Sequence, residues 1–322
     1  MNNQRSKDPC RPSATGISAA AKRVCGVVTL TPLLPVPTET GRVWIKAESL
    51  QLGGAFKLRG AYNRLAQMNA EERRAGVVAF SSGNHAQGVA RAAAMLDTAA
   101  TIVMPADAPA VKMAATRALG AEIVTYDRHT ESREAIAASL AVERGAVLVP
   151  SFDDVDVIEG QGTAGLEIAE QLGRAPRRVI VPCGGGGLAA GIALALPNSA
   201  IVTAEPEGWD DMARSLAGGK IVEVAADAPF TSCDALQSRR VSDLTFGALR
   251  EAGAHGLWVS EAETQAAMRF AFGLGLVVEP GGAVALAAWL AGKVADSEGD
   301  TVIVCSGSNV DPRAFARVME AA

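Results

Sequence analysis

The sequence predicts an α/β protein of two lobes, with parallel sheets covered by helices on both faces. The first observation is a series of short, β-branched or apolar runs at 43–47, Val77–Phe80, 101–104, Glu122–Tyr126, 146–149, 179–181, 201–204 and 301–305. The second is that longer, Ala-rich amphipathic stretches lie between them, as at 86–96, 110–119, 131–143 and Glu261–Gly273. Strands that are apolar throughout and alternate with helices indicate a parallel sheet buried on both faces. The third is that Gly-, Ser- and Asn-rich turns follow several runs directly, and such sheets bind ligands outside the carboxyl ends of their strands. The pattern suggests a larger unit made of 1–74 and 152–322, with a smaller α/β unit, 75–151, inserted in it.

The whole chain narrows the function classes. Its 322 residues suffice for a sizeable core, and a formal charge of −5 without blocks of like charge argues against nucleic acid or a membrane surface as partner. No window approaches a membrane-spanning length. Cys10, Cys25, Cys183, Cys233 and Cys305 form an odd, widely spaced set without a C-x-x-C pair, which suits a reducing cytoplasm better than a disulfide framework or a zinc site. The first 23 residues carry five basic side chains and no apolar signal region, and read as a frayed leader. Only seven of the 30 basic residues are lysines, so few are available for amine chemistry.

Four segments carry chemistry. Gly184, Gly185, Gly186 and Gly187 follow the run at 179–181 and precede an Ala-rich stretch. Consecutive glycines let backbone N–H groups turn toward an anion at a helix start, and neither a Walker lysine nor a G-x-G-x-x-G register accompanies them. A phosphate-sized anion explains four glycines better than a tight turn, for which one or two would serve. Lys57 lies in Gly53-Gly54-Ala55-Phe56-Lys57-Leu58-Arg59-Gly60, beside an aromatic and between glycines. A buried lysine amine forms Schiff bases with an aldehyde, although a solvated helix-start lysine is the commoner case. Ser81-Ser82-Gly83-Asn84-His85 opens a helix, where Ser and Asn also serve as caps. His85 is one of three histidines, but no G-x-S-x-G elbow supports a serine hydrolase. Cys305-Ser306-Gly307-Ser308-Asn309 ends the last run, where Ser306 could meet a ligand ring or the segment could cap a final helix near Pro312.

Together these segments resemble the fold-type-II pyridoxal-phosphate enzymes (tryptophan synthase β-like), close to threonine dehydratases and serine racemases. The similarity runs from Thr31-Pro32-Leu33 to Asn309-Val310-Asp311 and takes in Glu159-Gly160-Gln161-Gly162-Thr163 and Glu279-Pro280-Gly281-Gly282-Ala283. It implies pyridoxal 5'-phosphate held by Lys57 as a Schiff base, with Phe56 packed beside the ring. It also implies Asn84 at the ring hydroxyl, Gly184 to Gly187 at the phosphate, and Ser306 at the pyridine nitrogen. Ser306 is neutral, so the ring would be a softer electron sink than one facing an aspartate. Ser81, Ser82, Asn84 and His85 would belong to the loop that meets the substrate carboxylate, with Ser82 a second acid/base as in serine racemases. Arg133 matches an arginine that faces an acidic ligand group in racemases, and otherwise reads as a surface arginine paired with Glu131 or Glu134. Glu205, the Trp209 carbonyl and Asp211 resemble the family's site for Mg2+ or Ca2+, and otherwise read as a capped helix start.

The resemblance implies an ammonia-lyase that converts a small 3-hydroxy amino acid, L-threonine or L-serine, to a 2-oxo acid and ammonia. Alternatives are a 3-hydroxyaspartate dehydratase, a serine racemase, and a cofactor-binding protein without turnover. A homodimer is expected on the same ground. Cys233-Asp234-Ala235 and Ser308 depart from the family's usual Ala-Asp-Gly and glycine, and Ser151-Phe152-Asp153 from its usual opening. The first two departures are expected near the cofactor edge. The chain ends soon after Asp311, so a regulatory domain and feedback by isoleucine are not expected.

Overall fold

The computed structural model describes residues 11–38, 42–108, 110–295 and 299–321. In chain order its strands are β1 Leu33–Pro35, β2 Val43–Lys46, β3 Val77–Phe80, β4 Ala100–Pro105, β5 Glu122–Tyr126, β6 Val147–Leu148, β7 Arg178–Pro182, β8 Ala200–Pro206, β9 His255–Val259 and β10 Thr301–Val304. Six of them form one sheet in the order β1-β2-β10-β7-β8-β9, and four form a second in the order β5-β4-β3-β6. Every pairing is parallel except β1 with β2. The strands of the smaller sheet all come from residues 77–148.

The central strands β7, β8 and β10 are buried almost along their length, and helices lie on both sides of them, as a parallel sheet requires. One face of the larger sheet packs on α12 (Pro280–Leu290) and α11 (Glu261–Gly273), the other on α7 (Val155–Leu172) and α8 (Gly187–Ala195). α7 and α8 approach so closely that a Cβ on Gly191 would lie 2.5 Å from the Gly162 nitrogen. Glycine at both positions permits that crossing.

Three expectations need correction. Part of the supposed leader is a helix, α1 (Ala14–Val24), which starts on the Ser13 cap and buries Ile17, Ala20 and Val24 at helical spacing against α7; residues 1–10 lie outside the described residues. β1 and β9 were not foreseen. β1 has three residues and ends in proline, and β9 has an exposed, partly polar pattern, so neither forms an apolar run.

Buried ions anchor the site's scaffold. Arg59, on α2 (Lys57–Ala66), pairs with Glu48 at 2.8 Å and Glu167 at 2.6 Å, while Lys46 pairs with Glu167 at 2.6 Å. Burial opposes the charge on Arg59, but the two carboxylates outweigh it and keep the guanidinium protonated. The network ties α2, the end of β2 and α7 together two residues from Lys57.

Candidate active site

Gly53 and Gly54 have φ of 87° and 76°, a left-handed turn that glycine adopts without strain. The turn zips the chain onto the loop after β10: Ala55 bridges Gly307, the Phe56 N–H donates to the Ser306 carbonyl at 3.2 Å, and the Ser308 N–H donates to the Gly54 carbonyl at 2.7 Å. Two motifs far apart in the chain thus become one wall. Lys57 opens α2, its Nζ donating to the Ser151 carbonyl at 3.0 Å and lying 5.0 Å from the Phe56 ring centroid. Burial depresses the amine to about 8, against the pull of the Glu279 charge. It is therefore partly unprotonated near neutral pH, as a nucleophilic amine must be.

The glycines after β7 are needed for different reasons. Only Gly186 has positive φ, 87°, at the start of α8, which lacks a side-chain cap. A Cβ on Gly185 would lie 2.2 Å from the Phe152 ring, and one on Gly184 would lie 3.0 Å from the Leu236 Cα. Close approach, more than turn geometry, excludes side chains here. The loop, Phe56, Lys57, Asn84, Glu279 and Ser306 line one cavity of about 60 Å3. The Ser306 hydroxyl makes no hydrogen bond to the described residues.

Asn84 and His85 begin α4 (Asn84–Met95), but Asn84 does not cap it. The Asn84 Nδ2 donates to Glu279 Oε1, and its Oδ1 accepts from Asn309 Nδ2 at 2.8 Å. The loop from 306 to 309 does not cap the last helix, α13 (Pro312–Glu320), either: Asp311 does. His85 shares a proton with the Val149 carbonyl through Nε2 at 2.8 Å, and its buried Nδ1 has no partner. A carbonyl only accepts, so Nε2 carries the hydrogen. Burial and the Lys57 charge push the imidazole to about 3, and it stays neutral at physiological pH. No acid orients it, so a Ser-His-acid triad is absent among the described residues.

The cavity shares Lys57, Asn84, Ser151 and Phe152 with a neighbouring chamber of about 840 Å3. Ser81, Ser82, His85 and Lys57 line it on one side, and Tyr126, Arg128 and Arg133 on another. Arg133, the first residue of α6 (Arg133–Arg144), lines the chamber 5.6 Å from the Phe80 ring centroid, and its Nε donates at 2.8 Å to Glu134, its neighbour in the chain and not a partner at helical spacing. Of the departing residues, Ser151, Phe152, Asp153, Asp234 and Ala235 reach the chamber. Cys233 instead lies in the core, and the Ser308 hydroxyl donates to the Ser49 carbonyl at 2.8 Å, so neither stands at the cavity edge as expected. The buried Cys233 thiol completes the core beneath the wall.

Behind the glycine loop, Glu205 at the end of β8 accepts the Met212 and Ala213 N–H groups at 2.9 and 2.8 Å, capping α9 (Asp211–Gly218) from outside. Asp211 lies beside it, with a buried Oδ2 that has no partner among the described residues. Burial and the repulsion from Asp211 hold Glu205 well above the carboxylate range, and burial lifts Asp211 to about 7. The Trp209 indole donates to the Pro229 carbonyl at 2.8 Å. No cluster of three or more His, Cys, Asp or Glu suited to a metal occurs among the described residues, so a cation here would take two carboxylates plus carbonyls and water.

Several participants carry little local signal. Glu279 sits before Pro280-Gly281-Gly282 where a helix cap would stand, yet its side chain caps nothing and turns into the cavity. Phe152 and the Ser151 carbonyl reach the site from a loop that only the fold brings to Lys57.

The residues present fit pyridoxal phosphate: a depressed lysine, a glycine cradle that side chains would fill, and a serine hydroxyl without a partner among the described residues share one cavity. A family model described as pyridoxal-phosphate dependent enzyme matches residues 24–307. An L-threo-3-hydroxyaspartate ammonia-lyase of Pseudomonas sp is 45% identical over 94% of this chain and 96% of the relative. A serine racemase of Schizosaccharomyces pombe is 37% identical over 96% of this chain and 97% of its own. The crystal structure of a T.th. threonine deaminase superposes with a TM-score of 0.85 at 40% identity, covering 93% of this chain and 99% of that one. The chain belongs to the family of pyridoxal-phosphate-dependent enzymes, in the fold-type-II branch that holds threonine ammonia-lyases, hydroxyaspartate ammonia-lyases and serine racemases.

Proposed function

We propose that the protein is an ammonia-lyase that eliminates the β-hydroxyl of a small 3-hydroxy amino acid, L-threonine or L-serine, to yield a 2-oxo acid and ammonia. The observation that carries this reading is the single cavity shared by Lys57, the glycine loop and Ser306. When bound, pyridoxal phosphate supplies an aldehyde for the amine and a ring that accepts electron density from the substrate α-carbon. Lys57 would hold the cofactor through its amine and, once free, would remove the substrate α-proton from the face it occupies. The N–H groups of Gly184 to Gly187 and the start of α8 favour the phosphate. Asn84, hydrogen-bonded to Glu279 and Asn309, would offer its remaining amide hydrogen to the ring, and Ser306 would meet the pyridine nitrogen as a neutral group. Phe56 and Phe152 exclude water from the lysine and the loop. The start of α4, with Ser81, Ser82, Asn84 and His85, receives the substrate carboxylate at N–H groups that no side chain caps.

A second reading, 3-hydroxyaspartate as substrate, is favoured by Arg133, whose guanidinium faces the chamber and could pair with a second carboxylate. The hydroxyaspartate ammonia-lyase similar to this chain supports it. Ser82, on the chamber wall with Lys57, keeps serine racemisation as a side or main activity. Glu205, Trp209 and Asp211 are proposed to hold Mg2+ or Ca2+, supported by two adjacent buried acids, one with an unpartnered oxygen. The division into 1–74 with 152–322 and an inserted 75–151 is supported by the two separate sheets. A homodimer is supported by the exposed apolar Leu30, Leu50 and Leu52, gathered where Gln51 bonds Thr29. A cytoplasmic location is supported by the unpaired Cys25, Cys183, Cys233 and Cys305; no helix among the described residues is long and apolar enough to cross a membrane.

The test is release of 2-oxo acid from cofactor-loaded protein given L-threonine, L-serine, D-serine and the 3-hydroxyaspartate isomers, each with and without Mg2+. Release from threonine or serine supports the first reading. Preference for a hydroxyaspartate isomer that Arg133→Ala abolishes supports the second. Silence on all, with D-serine formed from L-serine, overturns elimination in favour of racemisation.

A further inference from the structure

Beyond accepting the Asn84 amide, Glu279 has no part in the chemistry described so far, yet it is a carboxylate with 3% exposure on the wall of the cofactor cavity. Its seat is built for it. A Cβ on Gly307 would lie 2.1 Å from Glu279 Oε1, so only glycine at 307 leaves room for the carboxyl group. The Glu279 N–H donates to the Gly307 carbonyl at 2.9 Å, and the Asn309 N–H favours the charged form of its carboxyl group. The side chain stands at the first position before α12 but caps no N–H there, so helix capping does not explain its burial.

Two groups of the cavity answer to it. Asn84 donates to Glu279 Oε1 while Asn309 donates to Asn84 Oδ1, which fixes the amide flip of Asn84 and leaves one N–H for a ligand. Lys57, whose own hydrogen bond goes to the neutral Ser151 carbonyl, has Glu279 as the acid that acts on its charge.

We propose that Glu279 is a positioning residue that clamps Asn84 through one oxygen and, through its charge, sets how readily the Lys57 amine holds its proton. This rests on the pyridoxal-phosphate reading of the cavity and deepens it. The charged groups facing Glu279 are Lys57 from α2, Asp234 from the turn Asp234–Leu236, and Lys112 from α5 (Ala110–Ala118), the last two ion-paired with each other. α4 contributes the uncharged Asn84 and the neutral His85, and the loop after β10 contributes Ser306 and Asn309, which carry no charge. Burial, aided by Asp234, lifts the Glu279 carboxyl to about 7, with Asn84 and Lys112 working the other way. Its negative form favours protonated Lys57, so neutralising it makes the amine a weaker base.

The test uses the full chain stripped of cofactor and then mixed with pyridoxal phosphate. The unprotonated amine adds to the aldehyde and water leaves, and growth of the visible absorbance is followed across pH. Titrations of free pyridoxal phosphate are common to all variants, so the difference between them reports the protein. Glu279→Gln keeps an acceptor for Asn84 but loses the charge. Its capture profile is expected to shift to lower pH by on the order of one unit, with cofactor affinity retained. Glu279→Ala is expected to show the same shift and a weaker equilibrium affinity, because Asn84 loses its clamp. A profile unchanged in both variants would overturn the charge role, and equal affinity in Glu279→Ala and Glu279→Gln would overturn the clamp. If the wild-type chain fails to capture pyridoxal phosphate at any pH, the cofactor reading itself fails. Silence on the substrate panel would leave the capture result standing.

Discussion

Gly185→Ala separates a glycine required by crowding from one required by the backbone. The new methyl group would be placed 2.2 Å from the Phe152 ring, well inside van der Waals contact, and Phe152 also packs over Gly187. Either the ring moves or the loop does. Overpacking of this kind costs about 1–3 kcal/mol. If the strain falls on the loop proposed to present N–H groups to the phosphate, the Kd for pyridoxal phosphate rises about 5- to 150-fold. Equilibrium titration of stripped protein with the cofactor, followed by absorbance, measures this directly. Adding Phe152→Ala opens the contested space, so the double variant is expected to bind more tightly than Gly185→Ala alone. Gly187→Ala is the comparison: its methyl group meets Phe152 at 3.1 Å, a contact that a small shift relieves, and alanine suits a helix start better than glycine. Wild-type affinity in Gly185→Ala, or no recovery in the double variant, would refute the argument that close approach dictates this glycine.

Lys57→Ala is expected to abolish turnover and the visible absorbance of lysine-bound cofactor while far-ultraviolet circular dichroism is unchanged; retained activity would remove Lys57 from the mechanism. Ser82→Ala is expected to spare elimination from the L-substrate and to remove any D-serine formation, and equal loss of both would assign Ser82 another role. Arg59→Met strands the fully buried Glu48 without its main partner, at a cost of about 3–5 kcal/mol in urea unfolding at pH 7. Burial raises the Glu48 pKa, but Arg59 outweighs it and holds the group below its ordinary 4.5. A depressed acid stabilises the fold above that value and loses the contribution as pH falls through the lower, folded value. The deficit of Arg59→Met is therefore expected to narrow as the pH falls below 4.5, and a deficit there equal to that at pH 7 would refute the assignment.

The chemistry-bearing segments were legible because each is local. A tetraglycine after an apolar run, a lysine between glycines and a Ser-Ser-Gly-Asn-His turn are short stretches whose backbone demands and functional groups lie side by side in the chain. The strands of the sheet centres were legible for a related reason: burial on both faces requires apolar residues throughout. Edge strands escape that requirement, which is why β1 and β9 left no comparable pattern. α1 hid behind basic residues on its exposed side while Ile17, Ala20 and Val24 faced α7.

By itself, the sequence determined the fold class and the family, and marked Lys57 and the glycine loop as candidates, since these depend on residue type and near neighbours. Only the tertiary structure decided what those groups feel. Asn84 serves Glu279 and Asn309, not the helix it begins, across 195 and 225 residues of chain. Phe152 dictates glycine at 185, and enclosure lowers the Lys57 amine to about 8. Crowding, desolvation and the field of a distant charge arise when remote segments share a small, dry volume, and no periodicity or spacing along the chain encodes which segments those are.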